Sequence, residues 1–232
     1  MAAEWAHDVR TPLTGILHSA ELLAGAAEPS RGQRHFEVIR AEVERINELV
    51  NHFLDYARPV QLRTREQDVS ALVRDAADLM EGLAGRNSCR IEVSADQARA
   101  SVDPDQFRQV TLNLLTNALD VAPDESVVEA RVYRIEGTGA DPDGPATVVE
   151  IVDAGSGVDA ADIDRLFIPF FTTKAEGTGL GLAISEKIVR AHGGTLRYER
   201  VEGRTVFRVV LPELQSGSAR GEVPEQSFHA RG

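Results

Sequence analysis

From Phe36 to Ala57 the apolar side chains Phe36, Ile39, Val43, Ile46, Val50, Phe53 and Ala57 recur at alternating steps of three and four residues. That spacing draws a narrow stripe along one side of a helix, the geometry of a bundle seam. Upstream, Val9, Leu13, Ile16, Ala20 and Leu23 carry the same alternation, and the stretch from Gly25 to Gly32 separates the two runs. The pattern predicts an antiparallel helical hairpin. Two helices alone leave Leu22, Leu49 and Leu54 without cover. Pairing two hairpins into a four-helix bundle supplies that cover, so packing predicts a homodimer.

His7 stands two positions before Val9, so at about 100° per residue it faces away from the seam. Thr11 follows at helical spacing on the same outward side, and Asp8 lies beside it. Taken alone, this is also the position of an ordinary exposed histidine. The chemical reading is that a neutral imidazole is a nucleophile and that a neighbouring carboxylate can orient it or take up its proton.

The stretch Arg58-Pro-Val-Gln-Leu-Arg-Thr-Arg-Glu-Gln67 breaks the seam and reads as a linker. The chain therefore divides into a helical hairpin over 1–58, a linker over 59–67, a second domain over 68–213 and a polar tail over 214–232, expected to be disordered. In the second domain a helix is predicted from Val69 to Leu83, with Leu72, Val73, Ala76, Ala77 and Leu79 turned to a core. Short strands follow at Cys89–Val93 and Ala98–Val102. Asp103 and Pro104 read as the cap and first residue of a helix reaching Val121. Strands at Ser126–Arg134 and Ala146–Val152 form a hairpin, a short helix runs from Ala160 to Leu166, and a longer one from Leu182 to Ala191. Two more strands, Thr195–Arg200 and Thr205–Leu211, complete an α/β sandwich with a mixed sheet and helices on one face.

Four clusters in this domain carry chemistry. Asn113 and Asn117 share a face of an otherwise apolar helix, where asparagine needs a reason to be; Asn117 offers a neutral oxygen to a magnesium ion. Asp153 ends a strand, and Gly155 and Gly157 behind it let backbone approach a flat ligand. Its carboxylate suits the amino group of an adenine. Phe167, Phe170 and Phe171 follow as an aromatic cluster, with Lys174 beyond them. Finally Gly177-Thr178-Gly179-Leu180-Gly181 opens directly into a helix, an arrangement that presents backbone N–H groups to phosphate. Together they predict a pocket for a purine nucleotide and its magnesium. The glycine spacing is neither that of a P-loop nor that of a dinucleotide fold.

A formal net charge of -12 argues against nucleic acid as a partner. A single cysteine, Cys89, fits a reducing compartment and reads as a small buried apolar residue. No apolar run is long enough to span a bilayer. The expected location is cytoplasmic.

Over residues 4–212 the sequence resembles the transmitter core of bacterial two-component sensor histidine kinases. His7-Asp-Val-Arg-Thr-Pro-Leu13 resembles the phosphoacceptor box, Asn113-Leu-Leu-Thr-Asn117 the N box, and Asp153-Ala-Gly-Ser-Gly157 the G1 box. Phe167-Ile-Pro-Phe-Phe171 and Gly177-Thr-Gly-Leu-Gly-Leu182 resemble the F and G2 boxes. The resemblance implies an α+β protein: a dimeric four-helix bundle, then an ATP-binding domain of the Hsp90, gyrase and histidine-kinase (Bergerat) type. It implies that His7 accepts the γ-phosphoryl group of ATP, with Mg2+, and passes it to an aspartate of a response-regulator receiver domain. Asp8 takes the place of the acidic neighbour that assists this step, and Thr11 that of the residue orienting water in dephosphorylation. Only six residues precede His7, where relatives carry a longer first helix; a truncated gene product, a fragment, and a kinase switched by a separate sensor or input protein all fit that start. Asp120 stands where many relatives place a phosphate-contacting lysine. Two other readings fit the same residues: a phosphatase or phosphotransfer partner without effective autokinase activity, and an ATP-gated binding protein.

Overall fold

The computed structural model describes residues 13–20, 22–23, 29–57, 59–136, 144–174 and 177–213. His7, Asp8, Thr11 and the polar tail lie outside the described residues. Residues 13–20 are helical (α1), and a second helix, α2, spans Pro29–Ala57. It starts inside the stretch read as a break, because proline's fixed φ suits a first helical residue and its missing N–H costs nothing there. The two helices face each other where a Cβ on Gly15 would stand 3.6 Å from Glu42 Cγ.

The linker runs as far as a short strand, β1 (Arg65–Asp68), that its sequence hides. All four residues are polar, and the strand exists because it pairs antiparallel with β3 (Arg99–Val102). Asp68 then caps α3 (Val69–Arg86), its carboxylate accepting from the Ala71 N–H at 3.1 Å. Leu72, Val73, Ala76 and Ala77 of α3 are buried as their spacing predicts. Leu79 is not: it is 65% exposed. It lies two residues past Ala77 and about 200° round the helix from it, so its apolar character misleads.

The main sheet has five strands in the order β2-β4-β5-β7-β6, comprising β2 (Arg90–Ala95), β4 (Val127–Ile135), β5 (Ala146–Asp153), β6 (Thr195–Val201) and β7 (Arg204–Pro212). The β2–β4 pair is parallel and the rest antiparallel. Helices α3, α4 (Pro104–Val121) and α5 (Gly181–Ala191) belong to one core with the inner face of this sheet, centred on Phe107, Leu114, Leu115, Ile151 and Ile188. Between β5 and α5, the expected short helix is one 3-10 turn, Ile163–Arg165.

Two caps fix the ends of the helices nearest the site. Asp103 Oδ1 accepts from the Asp105 and Gln106 N–H groups at 3.1 and 3.2 Å, and Oδ2 from the Arg63 N–H at 2.8 Å. His192, at the end of α5, has its Nε2 accept the Asp103 N–H at 2.9 Å. With that nitrogen an acceptor, Nδ1 carries the proton and donates to Ile188 O at 2.8 Å. The histidine thus ties α5 to α4, a packing role.

Candidate functional site

The end of β5, one face of α4 and the start of α5 enclose a cleft of about 500 Å³. Asp153 forms its floor. It is the last residue of the central strand and only 1% exposed, with Oδ1 accepting from the Gly155 N–H at 2.8 Å. Burial pushes its carboxyl above the ordinary aspartate range. The Gly155 N–H, the Thr205 hydroxyl and the Arg200 and Arg204 guanidiniums pull back without cancelling that effect.

The turn after Asp153 needs its glycines for contact rather than for turning alone. A Cβ on Gly155 would meet Asp153 Oδ1 and Val121 O, each at 2.8 Å. Gly157 has φ +79°, and a Cβ there would lie 2.6 Å from Arg200 Nη1. Nothing in the sequence pattern singles out Arg200. Its Nη1 donates to Gly155 O at 2.8 Å and to Thr205 Oγ1 at 2.9 Å, clamping the turn beneath the cleft. The β6–β7 register pairs Arg200 with Thr205, and the β5–β7 register pairs Thr205 with Asp153. Only the register brings the three together, and strand periodicity does not contain it.

Along α4, Asn113, Asn117 and Asp120 line the cleft. Asn113 Nδ2 donates to Gly181 O at 3.3 Å and is 3.4 Å from Ser185 Oγ, so this side chain joins α4 to the first turn of α5. Asn117 Oδ1 accepts from Lys174 Nζ at 3.1 Å, and the same ammonium lies 2.8 Å from Asp120 Oδ2. The loop before α5 closes the opposite side. Gly179 has φ +65°, and a Cβ there would stand 2.4 Å from the carbonyl carbon of Phe170. The Phe170 N–H donates to Gly179 O at 3.0 Å. The aromatic segment and the glycine loop are thereby one unit. At Gly181 the nearest atom is 3.9 Å away. Among the described residues no side chain caps α5 at Leu180, and first-turn N–H groups of a helix are suited to an anion.

Asn113, Asn117, Asp153, Gly157, Lys174, Gly177, Thr178, Gly179 and Gly181 all line this one cleft. Gly155, Phe170 and Leu180 support it from behind. Leu180 is fully buried, and Phe170, at φ +68°, packs on the core and stacks on Phe53 at 6.4 Å. Phe171 takes the lining position instead, its ring 4.2 Å from the Arg165 guanidinium carbon.

Comparison with known proteins bears on the same residues. Residues 102–215 match the family model of histidine kinase-, DNA gyrase B- and HSP90-like ATPases, and residues 1–61 match that of the His Kinase A phospho-acceptor domain. The chain is 32% identical over 223 residues to sporulation kinase E of Bacillus subtilis, covering 95% of this chain and 29% of that protein. It is 33% identical over 217 residues to the sensor histidine kinase ZraS of Escherichia coli K12, covering 91% of this chain and 45% of that one. The chain thus spans less than half the length of either relative. Among solved structures, the catalytic domain of histidine kinase ThkA is 27% identical with a TM-score of 0.57, covering 65% of this chain and 96% of that domain. ThkA in complex with the response regulator protein TrrA matches in fold with a TM-score of 0.75 at 24% identity, covering 92% of this chain and 61% of that one. With both models matched in order and the cleft lined wholly by residues inside the ATPase match, the chain belongs to the two-component sensor histidine kinases, of which it carries the transmitter core.

Proposed function

We propose that this chain is an ATP-dependent histidine autokinase that phosphorylates His7 and passes the phosphoryl group to an aspartate of a response-regulator receiver domain. The observation that carries the reading is the buried Asp153 carboxylate at the back of a cleft whose other end is the uncapped start of α5. A carboxylate held there accepts from the amino group of adenine, and the first-turn N–H groups of α5 donate to the phosphate oxygens. Lys174 adds positive charge at the phosphate end. The cleft also suits a divalent cation, because Asn117 Oδ1 and Asp120 Oδ2 already hold one cationic group, the Lys174 ammonium. Mg2+, when bound, neutralises the charge that develops between the β- and γ-phosphates.

In the reaction, a neutral His7 nitrogen attacks the γ-phosphorus, the bond from that phosphorus to the β–γ bridging oxygen breaks, and ADP leaves. Asp8 takes up the imidazole proton. A carboxylate oxygen of the receiver aspartate then attacks the same phosphorus, and the phosphorus–nitrogen bond breaks. Thr11 orients the water that later hydrolyses the product. The chain's cleft contributes positioning and electrostatics rather than covalent chemistry. The reading divides the chain into a phosphoacceptor hairpin over 1–58, a linker over 59–67 and an ATP-binding domain over 68–213, acting as a homodimer in the cytoplasm. Named kinases among the relatives, and a relative solved with a response regulator, support it.

A pulse–chase experiment tests the proposal. The protein is incubated with γ-labelled ATP and Mg2+, freed of nucleotide, and mixed with a receiver domain. The expected result is an acid-labile, alkali-stable label that moves to the receiver and is absent from Asn117→Asp. Label that survives acid, or that never forms on the wild-type chain, refutes it.

A further inference from the structure

Asp120 makes a close ion-pair contact at the mouth of the cleft. It lies one helical turn past Asn117 on α4, and both side chains converge on one ammonium: Lys174 Nζ is 2.8 Å from Asp120 Oδ2 and 3.1 Å from Asn117 Oδ1. A seat built from one carboxylate and one amide oxygen is a seat for a hard cation, and oxygen donors of this kind are what magnesium takes. A triphosphate entering beside a bare carboxylate meets repulsion, which the present ion pair removes only while Lys174 stays there.

We infer that Asp120 is a cation-recruiting residue of the nucleotide site and that Lys174 is its place-holder. On this account, which rests on the ATP reading, Lys174 turns from Asp120 to the phosphates when nucleotide arrives. Asp120 and Asn117, freed of the ammonium, would then hold the divalent cation, which would supply positive charge beside the phosphates. One acidic side chain thereby makes nucleotide affinity depend steeply on the metal. The alternative is that the Lys174–Asp120 bridge is an ordinary surface ion pair. Both side chains are about a third exposed (33% and 39%), and such pairs contribute little to stability.

Calorimetric titration with ATP, with and without saturating Mg2+, separates these. The wild-type chain should bind ATP much more tightly with the metal. Asp120→Asn should lose roughly tenfold of that gain, on the scale of a linked binding event, while keeping or improving its metal-free affinity because Lys174 is released. Asp120→Glu, which keeps the carboxylate, should recover most of the gain. Lys174→Met should lose metal-free affinity and keep the metal-dependent gain. An Asp120→Asn protein with the full wild-type metal dependence overturns the inference and leaves the ATP reading standing. A wild-type chain that binds no ATP under either condition overturns both.

Discussion

Gly179 and Gly181 sit two residues apart in one motif and serve different ends. At Gly179 the backbone is left-handed and a Cβ would collide with the Phe170 carbonyl carbon at 2.4 Å; at Gly181 a Cβ would meet only ordinary contacts. Gly179→Ala should therefore cost at least ~1 kcal/mol of domain stability, read by chemical denaturation, whereas Gly181→Ala should leave the unfolding midpoint near wild type. A motif read from its letters treats the two alike, and only the contact distances tell them apart. Asp153 gives a second test at this scale. Its folded-state pKa is raised by burial. In the nucleotide-free protein, ionised Asp153 therefore costs stability above that raised pKa, and the cost is relieved as pH falls toward the unfolded value. Adenine binding needs the ionised form, so ATP affinity should fall as pH drops through the raised pKa, beginning above the ordinary aspartate range. Titrations of ATP affinity against pH should show this fall in the wild type. Asp153→Asn should bind ATP at least about tenfold more weakly, the order expected for a lost charged hydrogen bond, with no such pH dependence.

At the scale of elements, the cap at Asp103 was fully legible. An aspartate before proline and an apolar run is a start signal whose mechanism is local. The structure adds contacts from far along the chain, Arg63 and His192. Burial raises the Asp103 pKa, but the three N–H groups it accepts outweigh this and hold it below the ordinary value, with His192 adding to them. A depressed pKa contributes stability that is present above the unfolded-state pKa and lost as pH falls through the folded one. Asp103→Ala should cost about 1–2 kcal/mol in urea denaturation, while Asp103→Asn should keep much of the cap at neutral pH and show a shallower loss in acid. Other elements were hidden for physical reasons. β1 is polar throughout and is defined by its partner, not by periodicity. Leu79 is apolar but off the helix face that packs. Arg200 enters the site through a register that no single strand encodes.

For the whole molecule, the order of the elements other than β1 and the grouping of most motif residues into one cleft were readable in advance, because each motif sits at an element end where the fold must place it. The contact between the hairpin and the cleft domain was not. Phe53 of α2 stacks on Phe170, and the Lys187 ammonium donates to Tyr56 O and lies 5.2 Å from the centre of the Tyr56 ring. Among the described residues, the hairpin leaves apolar side chains exposed, including Leu17 at 62% and Phe36 at 55% exposure. Such a stripe calls for a second copy. Sedimentation should find a dimer for the wild type and a shift toward monomer for Phe36→Glu; a monomeric wild type would rule out the bundle. The central claim, that the cleft delivers a phosphoryl group to the hairpin, is tested most directly by mass mapping after incubation with MgATP, with digestion kept neutral or alkaline. One phosphoryl group should appear on the peptide bearing His7 and be absent from His7→Gln and from Asp153→Asn. A phosphoryl group on any other residue, or one that persists in His7→Gln, would contradict it.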